Sequence, residues 1–97
     1  MTYKYKARFH KALRKLPPHG QLRVAEAIDQ VVSFFETRQA PEGLGLKKLF
    51  SHHELGAVFE TRTSLSLRML FSVQRDQTIF HMVGNHDEVR RFIRTFQ

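Results

Sequence analysis

The run Thr78-Ile79-Phe80-His81-Met82-Val83 is apolar enough to be a strand, and it breaks at Gly84 into Asn85-His86-Asp87-Glu88-Val89. Asn85 is a strong helix N-cap, and Glu88, three residues on, completes a capping-box pattern. A strand and a helix therefore meet at Gly84–Asn85, and only a mixed domain accommodates such a seam. Beyond it Val89, Phe92, Ile93 and Phe96 repeat at helical spacing and leave Arg90, Arg91 and Arg94 outside. A histidine at the seam, ahead of a basic helix, stands where a proton can be passed beside a phosphate.

The rest of the chain supplies partners for both elements. Tyr3, Tyr5 and Ala7 alternate with Lys4, Lys6 and Arg8, the period-2 signature of a half-exposed strand. Phe9, Ala12, Leu13 and Leu16 follow helical spacing until Pro17-Pro18 stops that helix and starts another. The second carries Ile28, Val31, Val32 and Phe35, with Leu22 and Ala25 a turn or two earlier, and the two are expected to form an antiparallel hairpin. Residues 39–56 read as loop-rich, with Pro41, Gly43, Gly45 and Gly56 around an apolar-basic patch, Leu46–Phe50. Strands are predicted over Ala57–Arg62, Leu65–Gln74 and Thr78–Val83, joined by hairpins at Thr63-Ser64 and Arg75-Asp76-Gln77. The predicted fold is α+β and a single domain over residues 1–97. It consists of an N-terminal strand, a two-helix hairpin, an antiparallel three-stranded meander and a C-terminal helix, with helices mainly on one face of an antiparallel sheet.

Sixteen Lys and Arg against nine Asp and Glu give a net charge of +7, and residues 1–25 contain no acidic residue. A field of that sign attracts phosphate backbones and acidic proteins alike. There is no cysteine, which excludes a disulfide framework and thiolate metal sites and suits a reducing compartment. No apolar run approaches the ~20 residues that cross a bilayer, and Met1–Lys6 lacks a following apolar segment. A cytoplasmic protein is the expectation. The six histidines match no metal-ligating spacing, so neither a metal nor a cofactor is expected.

Several local patterns resemble the RelE/ParE superfamily of bacterial type II toxins. They are Phe9…Ala12-Leu13…Leu16-Pro17, Gly45-Leu46-Lys47-Lys48-Leu49, Phe59-Glu60-Thr61-Arg62, Leu67-Arg68-Met69-Leu70-Phe71, and Val83 through Val89. They run in family order over nearly the whole chain. RelE-like members are ribosome-dependent endoribonucleases, whereas ParE-like members inhibit DNA gyrase. The resemblance implies a toxin that cleaves mRNA on the ribosome by metal-free attack of a 2′-hydroxyl on its phosphate, with an acidic antitoxin as partner. The alternatives are a ParE-like gyrase inhibitor and a catalytically silent, antitoxin-binding member. The chain departs from the RelE prototype at Val58 and Glu60, where lysines are usual, and has no tyrosine in its C-terminal segment. It is closer to the histidine-using members.

An arginine at the position of Arg68 is widely shared by the nucleases. Alternation puts Arg68 on the more polar strand face, where it can grip a phosphate bidentately or pair with Glu60. His86 is the candidate proton carrier, with Asp87 orienting the ring or merely favouring the helix dipole. Arg62 and His53 complete the candidate catalytic set, although the pair His52-His53 is also readable as plain polar surface. Lys47 and Lys48 are candidate grips on RNA phosphates, as Arg62 is too. Arg90 and Arg91, with Arg94, form either an RNA-facing stripe or ordinary cations near a helix C-terminus. His81 reads as a core or cleft-wall residue.

Overall fold

The computed structural model describes residues 1–39 and 44–96; Pro41 and Gly43 of the expected loop region lie outside the described residues. The elements are β1 (Thr2–Tyr5), α1 (Ala7–Arg14), α2 (Pro18–Thr37), β2 (Lys47–His52), β3 (Gly56–Arg62), β4 (Arg68–Gln74), β5 (Gln77–Gly84) and α3 (His86–Ile93). A 3-10 turn, Arg94–Phe96, extends α3. The α+β class is as expected. Pro18 opens α2, where its fixed φ fits and its missing N–H costs nothing.

Three expectations are corrected. The meander has four strands, not three, because Lys47–His52 pairs antiparallel with β3. Its alternation is broken by an irregularity between Lys48 and Phe50, which places Leu49 and Phe50 against the same apolar cluster. β1 lies parallel to β5, so the sheet is mixed, in the order β1-β5-β4-β3-β2. Nor do the helices share one face. Phe9 of α1 and Val24, Ala27 and Val31 of α2 pack with Met69, Phe71 and Phe80, whereas Val89 of α3 packs with Val58 and Leu70 on the opposite side.

On α2 the buried line runs through Gly20, Val24, Ala27 and Val31, while Leu22 is 57% exposed and Ala25 is exposed too. Small residues set this face because they let the helix approach closely. Fully buried phenylalanines such as Phe71 and Phe80 each contribute about 2–3 kcal/mol of transfer free energy. β4 begins at Arg68, not Leu65, and Leu65 projects from the β3–β4 turn almost fully exposed, at 93%.

A second bulge shapes the α3 side. Leu70 pairs with Met82 but Phe71 pairs with Phe80, so His81 is the extra residue. Phe80 and Val83 face the α1–α2 core, and between them His81 and Met82 both face α3. No described helix is long and apolar enough to cross a membrane.

Candidate functional site

Antiparallel pairing brings the start of β2, the end of β3, the start of β4 and the end of β5 to one edge of the sheet. Lys47 lies opposite Glu60, and Arg62, Arg68 and Gly84 form a row across three strands. His86 follows Gly84 by two residues as the first residue of α3. These positions enclose a groove of about 380 Å³ lined by Gly45, Lys47, Glu60, Arg62, Arg68 and His86. Lys47, Glu60 and His86 also line a second hollow of about 480 Å³, continuous with the first. Its cations are Arg90 and Arg94, and its apolar floor includes Leu49, Phe50 and Ile93. The whole depression therefore gathers Lys47, Arg62, Arg68, Arg90 and Arg94 around the single carboxylate of Glu60.

Arg62 directly opposite Arg68 is a like-charge cross-strand pair, which by itself is unfavourable. An anion seated between the two guanidinium groups reverses that sign. Arg68 is held by the β3–β4 turn, donating through Nη1 to the carbonyls of Ser64 and Leu67, each at 3.3 Å. That turn is braced by Ser64 Oγ, which accepts from the backbone N–H groups of Ser66 and Leu67. Arg68 Nε lies 4.0 Å from Glu60 Oε1, with the two side chains 18% and 17% exposed. At that distance there is an ion contact but no hydrogen bond, and neither group is locked away from the groove.

The capping box places His86. Asn85 Oδ1 accepts from Glu88 N at 2.8 Å, and Glu88 Oε1 accepts from Asn85 N at 2.9 Å. The ring is exposed, and Arg90 Nη1, one turn on, donates to its Nε2 at 3.4 Å. In the neutral ring this leaves the proton on Nδ1. Carboxylate, guanidinium pair and imidazole thus share one open concavity, a set able to accept a proton, hold an anion and donate a proton.

Of the sequence candidates, Arg68, His86, Arg62, Lys47 and Arg90 meet in this depression; the other three do not. His53 sits in the β2–β3 turn at the far end of those strands, exposed and 3.4 Å from Glu54. Its neighbour His52 serves the turn, accepting from Glu54 N and Leu55 N through Nδ1. Lys48 is paired with Phe59, whose ring packs on the α1–α2 core, so it lies on the opposite sheet face. Arg91 lines a different hollow, together with Arg8. Glu60, read from the sequence only as a partner for Arg68, belongs to the site as well, and of the stripe Arg90, Arg91 and Arg94 it is Arg94 that joins Arg90 there. Glu60 shares its strand face with Arg62, two residues on. Arg94 lies one turn beyond Arg90, whereas Arg91 is rotated by about 100°.

His81 lies behind α3, only 3% exposed, sharing a 2.7 Å hydrogen bond between its Nε2 and the Ser72 hydroxyl. Burial, with a smaller contribution from the Lys6 charge, pushes its pKa down to about 4. It is a neutral core residue, as its place in the strand suggested.

No protein-family model and no curated protein sequence matches the chain. Solved structures do. RelE in the RelB–RelE antitoxin–toxin complex of Methanococcus jannaschii aligns with a TM-score of 0.66 and 18% identity, over 92% of this chain and 96% of that one. The archaeal RelE–RelB complex from Pyrococcus horikoshii OT3 gives 0.67 and 20%, over 87% and 92%. A YoeB/ParE toxin from Agrobacterium tumefaciens gives 0.63 and 13%, over 89% and 99%. At these identities the likeness is one of fold, and the chain has the RelE/ParE toxin fold that its motifs implied.

Proposed function

We propose that this chain, folded as these toxins are, is the toxic half of a type II toxin–antitoxin pair and cleaves mRNA in the Arg68–His86 groove. The observation that carries the reading is the convergence of Arg62, Arg68, Glu60 and His86 on one open concavity. Glu60 takes the proton from a ribose 2′-hydroxyl, whose oxygen attacks the adjacent phosphorus. Arg68, with Arg62, stabilises the charge that builds on the phosphoryl oxygens. The P–O5′ bond breaks, and His86, acting as the imidazolium with its Nε2 released from Arg90, delivers a ring proton to the departing 5′-oxygen and returns to neutral imidazole, leaving a 2′,3′-cyclic phosphate. Lys47, Arg90 and Arg94 hold flanking phosphates.

The RelE likeness supports the ribosome as the place of action. The +7 charge and the antitoxin complexes among the similar structures support an acidic antitoxin as partner. The test is induction in growing bacteria followed by mapping of transcript ends. Cyclic-phosphate ends with arrested translation are the expected result. Intact transcripts with a DNA-damage response would instead indicate the gyrase-inhibiting alternative.

One observation favours the silent, antitoxin-binding alternative: Arg68 is already engaged by two carbonyls and stands beside Glu60. Under that alternative, induction leaves both transcripts and DNA intact while partner binding persists.

The groove also sets a salt dependence. Each phosphate contact on a single strand contributes about 0.7 to the slope of log affinity against log salt. Arg90→Ala/Arg94→Ala is therefore expected to reduce that slope by about 1.4 for an oligonucleotide, measured by fluorescence anisotropy. An unchanged slope would place the RNA elsewhere.

A further inference from the structure

On the other flank of α3 a cleft of about 600 Å³ opens between α1 and α3, over the end of β5. It adjoins a hollow of about 330 Å³ with which it shares Arg8, Met82 and Glu88. We propose that this cleft docks a short acidic and apolar peptide segment of a partner protein.

The cleft's chemistry differs from that of the groove. Arg8, Lys11 and Lys15 fall three and four residues apart, so α1 and its C-cap residue Lys15 present them as one line along the rim. Arg91 faces them from α3 across the adjoining hollow. Among the described residues none of these four cations has a carboxylate partner. Arg8 is instead held over the Phe92 ring, 4.7 Å from its centroid. The one acidic side chain in the lining, Glu88, is committed to the capping box. Below the rim the surface turns apolar, with Ala12, Leu16, Met82 and Val83. A peptide carrying carboxylates beside aliphatic side chains satisfies both halves. The groove on the opposite flank also has an apolar floor, Leu49, Phe50 and Ile93, but it sets Glu60 and His86 among its five cations, and the cleft's lining holds no imidazole.

This assigns a surface to the partner of the proposed function and rests on that reading only for the partner's origin. Its test reads peptide binding, not RNA cleavage, so either can fail alone. The intact chain is titrated with three labelled probes: a short peptide alternating glutamate with leucine, an oligoglutamate of equal charge, and an oligouridylate. Two variants remove equal charge, Lys11→Glu/Lys15→Glu in the cleft and Arg90→Glu/Arg94→Glu in the groove. Both alter exposed side chains, and folding is checked by circular dichroism.

The cleft variant is expected to lose about tenfold or more in affinity for the glutamate–leucine peptide and to keep most of its affinity for oligouridylate. The groove variant should show the opposite pattern. Oligoglutamate should bind the unmodified chain more weakly than the mixed peptide does. Equal loss of peptide in both variants means unspecific charge attraction and overturns the proposal. Loss chiefly of oligouridylate from the cleft variant makes the cleft an RNA surface, and overturns it too. Oligoglutamate binding as tightly as the mixed peptide removes any part for the apolar floor, with the same result.

Discussion

Arg68→Ala is expected to cut RNA cleavage by about a thousandfold while the protein remains folded. The size follows from the role proposed for the guanidinium, a fixed positive charge where the phosphoryl oxygens gain negative charge. The turn carbonyls of Ser64 and Leu67 orient it before substrate arrives. Stability should suffer little, by about 1 kcal/mol, because the Glu60 contact is at the limit of ion-pair distance. Arg68→Lys should restore charge but little rate, since an ammonium does not present the forked donors that reach two carbonyls and a phosphate together. Cleaved-end counts and urea unfolding on the same preparations check this. Activity that survives, or that falls only as far as the folded population does, would make Arg68 a structural residue.

Acidification should destabilise the protein through His81. The folded-state pKa of about 4 lies below the value near 6.5 of an unfolded imidazole. The unfolded chain therefore binds more protons between the two values. The neutral ring's contribution is complete above about pH 6.5 and is lost as pH falls towards 4. The full difference is about 3 kcal/mol, with about 2 kcal/mol gone by pH 5. His81→Gln keeps a hydrogen-bond partner for Ser72 and cannot titrate. Unfolding free energies of the two proteins, compared at pH 7 and pH 5, cancel the titration of all other groups. If the difference between them does not change with pH, burial of the imidazole has no energetic consequence.

The legible parts of this chain were those where local chemistry and tertiary need agree. The Asn85–Glu88 box announced α3, and the structure realises both of its hydrogen bonds. Arg68 and His86 were legible as a pair through their strand and helix positions together with the family resemblance. What stayed hidden depends on irregularity. Lys47–His52 did not read as a strand because Leu49 interrupts its period. With that strand missing, the depth of the depression and the place of Lys48 on the opposite sheet face were not visible. The bulge at His81 likewise hides that two successive side chains face one way. Glu60 was seen only as a partner for Arg68, because no local signal says that a strand carboxylate ends beside a lysine from a strand not yet recognised. Leu22 misled for a different reason: hydropathy favours a leucine, but close approach favours Gly20 and Ala27.

The paired bulges at Leu49–Phe50 and His81–Met82 widen the seat beneath an eight-residue helix that is too short to persist by itself. The imidazole and two of the groove's arginines therefore ride on a segment whose amide protons should exchange with solvent as a unit, ahead of those in β3 and β4. Whatever engages α3 from either flank would slow that exchange, giving a label-free record of occupancy even where catalysis is silent.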